Sequence, residues 1–271
     1  MRNKPKKFLR GFLFLFLISQ LSIPVYADEN QFISFDFCKR VFNDFKEMPT
    51  KPATFSKTEW LIAGGFVLGT LGALPVDGEI QKQLARKPSV LLDDLSANFT
   101  HFGDYKYQAP LILGSWFIGT ISNYTPLKKC AADGAEASLF AAGIVTPLIN
   151  RITGRALPNS GEPALKFRPF TPHRYSFPSG HTTEAFAMAT VIDINFREVF
   201  GYWHTPIVYS IATATGIARM YDQRHYFSEV ILGAGIGWSI GRWIASKPRN
   251  QSGPSFSLSD TGTRLVCAWK F

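Results

Sequence analysis

The chain has 271 residues, 46% of them hydrophobic and 18% charged, with a formal net charge of +9 at pH 7. Five cations and no acidic residue lie in residues 1–27, so residues 28–271 carry 24 cations against 20 acidic residues. This small excess excludes a general nucleic-acid-binding surface, and no nucleic acid partner is expected. Residues 28–271 are long enough for one large domain with a substantial core.

Residues 1–27 have the pattern of a signal peptide. Basic residues from Arg2 to Arg10 come first, and an apolar run from Phe12 to Ile23 follows. The small residues that end at Ala27 are typical of a cleavage site. An uncleaved membrane anchor is the alternative, but the short apolar run and the acidic residues that follow it favour cleavage. The pattern therefore predicts an exported protein.

The next two segments are predicted to be helical. Residues 28–58 are polar with several aromatic residues, and Asp36 to Met48 is predicted to form an amphipathic helix on the protein body or on a lipid surface. Residues 59–246 are the predicted helical domain. Its first segment, Trp60 to Val76, contains no charged residue and is marginal in length for a membrane helix. A buried helix of a soluble bundle is the alternative.

Four later segments of the domain also lack charged residues: Ala109–Leu127, Ala137–Ile149, Gly201–Ala218 and Val230–Gly241. Their apolar residues are not confined to one face, which predicts helices that pack on all sides. The sequence thus predicts an all-α bundle of about six core helices. We favour a protein embedded in or bound to a membrane over a soluble one.

The C-terminal region, residues 247–271, has a different composition. Residues 247–255 are rich in Pro, Gly and Ser and are interpreted as a linker. Apolar residues then alternate around Asp260-Thr261-Gly262, which predicts a short β-hairpin packed on the helical body. The three cysteines of the chain, Cys38, Cys130 and Cys267, set no disulfide framework, so pairing and free thiols are both open.

The stretch Ser176-Phe177-Pro178-Ser179-Gly180-His181 leads directly into a predicted helix. Pro178 and Gly180 interrupt regular structure, so the residues around Ser179 are expected to form a tight turn. A turn at a helix start directs several backbone N–H groups at one point, which favours phosphate binding. His181 can exchange a proton near neutral pH. The alternative is an ordinary helix cap with a surface histidine.

Arginines and a second histidine flank this turn. Arg151 and Arg155 precede it, and Arg219, His225 and Glu229 follow it. Two histidines, several cations and a turn rich in N–H groups are what phosphoryl transfer through a covalent phosphohistidine requires. On a helix, His225 and Glu229 share one face because they are four residues apart. The carboxylate can then fix the tautomer of the imidazole.

These three stretches resemble the type 2 phosphatidic acid phosphatase superfamily, which also contains bacterial nonspecific acid phosphatases and vanadium haloperoxidases. Pro178-Ser179-Gly180-His181 matches one motif of the superfamily in full, and Arg219 and His225 keep the spacing of another. The resemblance extends over roughly residues 85–245. It implies a helical fold and hydrolysis of a phosphomonoester or a pyrophosphate.

The resemblance also implies a role for each site residue. His225 is the expected nucleophile, Glu229 orients it, and His181 is the expected general acid for the leaving group. The groups expected to bind the phosphoryl oxygens are Arg219, the Ser179 hydroxyl, the Gly180 N–H and, as an additional cation, Arg155. Because these groups carry the charge stabilisation, no metal and no other cofactor is expected.

Two cations of the superfamily's first motif are missing. Alignment on Gly154-Arg155 and Pro158 puts Asn150 in the place of a lysine and Leu157 in the place of an arginine. The basic residues that are candidates to compensate are Arg151, Arg155, Lys166, Arg168 and Arg174. In another motif Ala218 replaces a serine, and Glu229 replaces an aspartate with its charge kept.

The expected substrate is a phosphorylated lipid or another small phosphate-bearing molecule. The expected location is the inner membrane with a periplasmic active site, or the soluble periplasm. Two alternatives remain open. The missing cations favour a catalytically weak or inactive member that binds a phospholipid or a partner. A vanadate-dependent haloperoxidase would use the same pocket, but it depends on the cations that are missing here.

Overall fold

The structure is a computed structural model that describes residues 35–85, 89–172, 176–247, 253–258 and 265–270. The predicted signal peptide and Arg174 lie outside these residues. Within them the chain is mostly helical, which confirms the predicted all-α fold.

Ten α-helices and two strands make up the described part of the chain. The helices are α1 (Phe35–Glu47), α2 (Lys57–Ala73), α3 (Asp77–Ala85), α4 (Val90–Thr100), α5 (Tyr105–Ile121), α6 (Thr125–Ser138), α7 (Thr146–Thr153), α8 (Gly180–Phe200), α9 (Thr205–Tyr221) and α10 (Phe227–Ala245). A π-helical segment, Leu139–Val145, joins α6 to α7. The strands β1 (Gly253–Leu258) and β2 (Leu265–Lys270) pair antiparallel.

The central contact of the bundle is between α8 and α10. Small residues recur at every fourth position of α10, and a Cβ added at Gly237 would collide with the carbonyl oxygen of Thr183. At Gly233 an added Cβ would lie 2.8 Å from the carbonyl oxygen of Ser179. The two backbones can approach this closely only because α10 has no side chains at these positions. The contact brings the start of α8 next to the first turns of α10.

Other elements complete the surroundings of the α8 start. A Cβ at Gly103 would collide with the carbonyl oxygen of His181, so the short 3₁₀ helix His101–Gly103 packs against that residue. A Cβ at Gly180 would lie 3.6 Å from the Cγ2 of Thr146, the first residue of α7. The N-terminal end of α8 is therefore enclosed by segments from three other parts of the chain.

Ion pairs hold α1 on the protein body. Arg40 lies 2.8 Å from the buried Glu136 of α6, and Lys247 lies 2.5 Å from Asp44 and 2.7 Å from Glu47. The sequence left open whether this helix lies on the protein body or on a lipid surface, and in the structure it packs on the body. Because Lys247 follows the last residue of α10, α1 lies at the C-terminal end of that helix.

Large apolar side chains are exposed on several helices. Leu61 and Leu68 of α2 are 76% and 70% exposed, and Leu91 of α4 is 67% exposed. Two helical stretches, Lys57–Leu84 and Thr125–Thr153, are long and apolar enough to cross a membrane. These surfaces fit a membrane protein.

The C-terminal strands agree with the predicted hairpin, although the residues between the strands lie outside the described ranges. Cys38 is exposed and Cys130 is buried, and both are free thiols. The side chain of Cys267 is outside the described part of the structure.

Candidate active site

The turn before α8 and the first two residues of that helix, residues 176–181, have the geometry of an anion site and are named the anion turn. Ser179 is the N-cap of α8, and its side-chain oxygen accepts a hydrogen bond from the N–H of Thr182 at 3.4 Å. Its own N–H donates to the carbonyl oxygen of Glu229 at 3.1 Å. Gly180 and His181 are the first two residues of the helix, so their N–H groups point out of its N-terminal end. This end attracts a negative charge through those groups and through the helix dipole.

The hydroxyl of Ser179 is itself engaged in capping. The residue is fully buried, and its Oγ lies 2.8 Å from the Oγ1 of Thr182. The predicted contact of Ser179 with a phosphoryl oxygen stays a prediction.

His225 is held with one ring nitrogen fixed. Its Nδ1 lies 2.9 Å from the carbonyl oxygen of Ser176 and 3.0 Å from the Oε2 of Glu229. Both partners are acceptors, so Nδ1 carries the proton and donates it. The Nε2 nitrogen then carries the lone pair, as attack on phosphorus requires.

The Glu229 carboxylate is anchored by further donors. Its Oε2 also accepts hydrogen bonds from the Ser176 hydroxyl at 2.5 Å and from the Tyr226 N–H at 3.1 Å. Glu229 is fully buried at the start of α10. The predicted pair of His225 and Glu229 is thus present. The carboxylate binds Nδ1, and the other ring nitrogen, Nε2, is the free one.

His181 lies close to Arg219, His225 and Asp104. Burial, the positive charge of Arg219 and the nearby His225 together lower the pKa of its imidazole to about 4, while Asp104 acts in the opposite direction. The backbone of His181 packs against Gly103, three residues after the Thr100 that binds Arg219. The turn before His181 binds the backbone of Glu229, which pairs with His225. His181, Arg219 and His225 therefore come together, although some 40 residues separate His181 from the other two in the sequence.

Arg219 has donors left for a ligand. One of its terminal nitrogens, Nη1, lies 3.0 Å from the Oγ1 of Thr100 and 2.9 Å from the Oδ2 of Asp222. Its buried Nε has no hydrogen-bond partner among the described residues. An unpaired buried donor on a cation is suited to an anionic oxygen.

Arg155 is not placed as the sequence predicted. Gly154, with φ of 59°, ends α7 in a left-handed conformation, and the chain then turns Arg155 into the interior. Its three guanidinium nitrogens bind the Ala164 carbonyl oxygen, Ser228 and Asp77, and the residue is 1% exposed. The assignment of Arg155 as a phosphate ligand is wrong, because its donors are used and no substrate can reach it.

Several site residues were missed by the sequence analysis. Ser176 and Ser228 carry hydroxyls too common to single out, and Asp222 could be identified only by its spacing of three from Arg219. Asp77 binds Ser228, which lies 151 positions away. No local pattern links such residues, since only the fold brings them together.

The described residues contain no group of three or more His, Cys, Asp or Glu side chains placed to hold a metal ion. The predicted independence from metal and other cofactors stays a prediction.

Comparison with known proteins gives a family match. Residues 135–252 match the PAP2 superfamily. This region of the chain is therefore similar to the PAP2 superfamily. The match includes the anion turn, His225 and Glu229, but it begins after α5, so the PAP2 match leaves out Asp77, Thr100 and Asp104.

Two curated relatives of this chain are phosphatases. It is 34% identical over 98 residues to a lipid A 1-phosphatase of Porphyromonas gingivalis, a match that covers 35% of this chain. The chain spans 22% of the length of that relative. It is 27% identical over 175 residues to a decaprenylphosphoryl-5-phosphoribose phosphatase of Mycobacterium tuberculosis, covering 65% of this chain and 90% of that protein.

Two solved structures have similar helical folds. The transmembrane PAP2 type phosphatidylglycerolphosphate phosphatase of Bacillus subtilis is 20% identical, with a TM-score of 0.49 and coverage of 67% of this chain and 93% of that chain. LpxE of Aquifex aeolicus is 21% identical, with a TM-score of 0.47 and coverage of 64% and 96%.

The segment that corresponds to the superfamily's first motif lies beside the anion turn, and it has Asn150 where that motif has a lysine. Asn150 is 6% exposed, and its Oδ1 has no hydrogen-bond partner among the described residues. The Oγ1 of Thr153 donates to the carbonyl oxygen of Phe177 at 3.1 Å, which fixes this turn of α7 beside the turn before α8. Lys166 and Arg168, two candidates to compensate, lie on the surface within 3.2 Å and 3.9 Å of Glu162.

Proposed function

We propose that this protein is a phosphatase that hydrolyses a phosphomonoester or a pyrophosphate, with a lipid phosphate as its substrate, through a phosphohistidine intermediate. The observation that carries the proposal is the position of His225, whose Nδ1–H is fixed by two acceptors and whose Nε2 is free. The anion turn and Arg219 supply the phosphate site beside it.

The reaction proceeds in two balanced steps. Nε2 of His225 attacks phosphorus, the bond from phosphorus to the leaving oxygen breaks, and His181 protonates that oxygen. A water molecule then attacks the phosphohistidine and gives its proton to His181, and the bond to Nε2 breaks to release inorganic phosphate. Arg219 and the N–H groups of the helix start stabilise the negative oxygens in both steps.

Two observations support a lipid as the substrate. The apolar side chains exposed on α2 and α4 suit a protein that works at a membrane. The names of the two curated relatives, a lipid A 1-phosphatase and a decaprenylphosphoryl-5-phosphoribose phosphatase, both describe phosphatases of lipid-linked substrates.

We also propose that the protein is exported and that its site faces the periplasm. The signal-peptide pattern of residues 1–27 supports this location. The fold adds a constraint, because α1 lies at the C-terminal end of α10, about 28 Å along that helix from His225. The start of α2 lies near that same end, where Glu59 and Arg242 line one cavity, and Asp77 binds Ser228 at the other end.

An α2 that crosses the bilayer would therefore leave α1 and the site on opposite sides. Because an export signal delivers α1 to the periplasm, a periplasmic site requires α2 to lie along one side of the membrane. This arrangement is part of the proposal.

The function is tested with purified protein, p-nitrophenyl phosphate and a short-chain phosphatidic acid, each with and without EDTA. We expect inorganic phosphate from both substrates at rates that EDTA leaves unchanged. Intact cells are expected to hydrolyse a substrate that enters the periplasm but not the cytoplasm as fast as permeabilised cells do. Activity that requires permeabilisation would contradict the periplasmic site, and no turnover of either phosphate would contradict the phosphatase.

The missing first-motif cations favour one other function, a catalytically inactive protein that binds a phospholipid. Binding of the phosphatidic acid without release of phosphate, in the same assay, would identify it. Halide oxidation that depends on vanadate and hydrogen peroxide would identify a haloperoxidase.

A separate prediction concerns His181 as the general acid. His181→Ala should spare an aryl phosphate, whose leaving group needs little protonation, and should slow an alkyl phosphate by about 10²–10⁴-fold. Because burial and nearby positive charges lower the pKa of His181 to about 4, its protonated form in the free enzyme is lost as the pH rises through that value. The kcat/KM for the alkyl phosphate should therefore fall on the alkaline side of this pKa, and the variant should lack this fall.

The measurement is kcat/KM against pH for the two substrates. Equal losses on aryl and alkyl phosphates would assign the role of general acid to another group.

A further inference from the structure

A buried charged cluster lies directly behind the Glu229 carboxylate. The Nη2 of Arg155 lies 2.8 Å from the Oδ2 of Asp77, and its Nη1 lies 2.9 Å from the Oγ of Ser228 and 3.2 Å from the Oε1 of Glu229. Arg155 is 1% exposed and the other three residues are fully buried. Three aromatic rings, those of Phe167, Phe177 and Tyr226, lie within 5.8 Å of its guanidinium carbon. The cluster is closed to substrate.

Asp77 ties the cluster to the start of α10. Its Oδ1 accepts the N–H of Ser228 at 2.9 Å, and its Oδ2 accepts the Ser228 hydroxyl at 2.5 Å. A carboxylate at the first turn of a helix is stabilised by the free N–H groups and by the helix dipole. Asp77 therefore holds both Arg155 and the turn that carries Glu229.

The two oxygens of Glu229 have different partners. Oε2 faces the Nδ1 of His225 at 3.0 Å, and Oε1 faces the Nη1 of Arg155 at 3.2 Å. This second contact is an ion pair, and Oε1 has no hydrogen-bond partner among the described residues. Since a carboxylate is planar, a guanidinium charge that attracts Oε1 also directs Oε2 toward His225. Arg155, which lies on the side of the carboxylate away from His225, thus helps to orient the Oε2 that accepts the Nδ1–H of His225.

Arg155 also balances the charge of the cluster. Asp77 and Glu229 are two buried carboxylates, and Arg155 is the cation between them. Without that cation, the two buried carboxylates would repel each other with no compensating charge, and Glu229 would lose its contact at Oε1. A Glu229 carboxylate that turns away from His225 accepts its Nδ1–H less well, and the imidazole is then free to change its tautomer.

We propose that Arg155 and Asp77 are positioning residues of the phosphatase site, which keep the Glu229 carboxylate directed at His225 so that Nε2 of His225 stays free to attack phosphorus. This inference rests on the proposed function. Asp77 belongs to α3 and lies outside the PAP2 match of residues 135–252, so the functional unit extends into the N-terminal helices.

The direct test is the tautomer of His225 in the substrate-free protein. The chain contains five histidines, so ¹⁵N-labelled imidazoles give a small set of NMR signals, and His225→Gln assigns the one of interest. We expect one tautomer, Nδ1–H, in the wild type and a mixture of two tautomers in Arg155→Gln. Arg155→Lys keeps the charge and should restore most of the Nδ1–H form.

The matched control is Arg40→Gln. Arg40 also pairs with a buried carboxylate, Glu136, at 2.8 Å, but at the other end of the bundle. This variant should leave the His225 signal unchanged. If Arg155→Gln does not fold, the double variant Arg155→Gln with Asp77→Asn removes both charges of the pair, and its signal is read in the same way. A single Nδ1–H tautomer in the folded Arg155 variant would overturn the proposal.

Kinetics give a second readout. Because Arg155 does not touch substrate, Arg155→Gln should lower kcat by about 10- to 100-fold and leave KM nearly unchanged. A rise in KM with an unchanged kcat would contradict the positioning role. A protein without phosphatase activity whose His225 tautomer still depends on Arg155 would refute the proposed function and leave the positioning role intact.

Discussion

His225→Ala is expected to abolish turnover and the covalent intermediate together. The variant removes the only atom that this mechanism allows to bond to phosphorus, and loss of such a nucleophile typically lowers kcat by about 10³-fold or more. We expect activity near the uncatalysed background on both aryl and alkyl phosphates. Acid-labile phosphate trapped on the wild-type chain during rapid quenching should be absent from the variant.

The fold should survive this change. Glu229 keeps its bonds from the Ser176 hydroxyl and the Tyr226 N–H, so its carboxylate is not left unpaired. The matched control is His204→Gln, because His204 is also buried, with its Nε2 3.3 Å from the carbonyl oxygen of Asp193, and lies past the far end of α8. Equal losses in both variants would show a general effect of a buried histidine. Labelled phosphate retained in folded His225→Ala would assign the nucleophile elsewhere.

The second large effect is expected from a gain of charge. The double variant Asn150→Lys with Leu157→Arg should raise kcat/KM by about tenfold or more, because one preorganised donor in such a site is worth about 10²–10³ in rate. Three of the candidates to compensate have other partners, since Arg155 binds Asp77 and both Lys166 and Arg168 pair with Glu162. The Oδ1 of Asn150 has no partner among the described residues, and its turn of α7 packs beside the anion turn.

The control places the same charge on the same helix but away from the site. Ile152 is 49% exposed on the outer side of α7, so Ile152→Lys should leave kcat/KM unchanged. A folded double variant with unchanged activity would mean that another cation already fills the position. Arg224 is the candidate for that outcome, because it is exposed, adjacent to His225 and without an ion-pair partner among the described residues. In that case, Arg224→Ala should lower kcat/KM.

The first-motif cations illustrate where the sequence was insufficient. A cluster of basic residues before the anion turn predicted that one of them faces phosphate, but neighbouring residues on a turn or helix point in different directions. Gly154 turns Arg155 into the interior, and the acidic partner that holds it there, Asp77, lies 78 positions away. Whether a cation binds substrate or a buried carboxylate is decided by the contacts made after folding.

The sequence by itself determined the elements whose physics is local. Uncharged helical segments determined an all-α bundle, Pro178 and Gly180 determined the turn before α8, and the spacing of four determined the pair of His225 and Glu229. Tertiary structure alone decided which groups meet. The glycines of α10 let α8 approach it, this contact brings His181 to His225, and the cluster of Asp77 and Arg155 forms behind Glu229. These outcomes depend on the packing of segments far apart in the chain, and a local pattern carries no information about that packing.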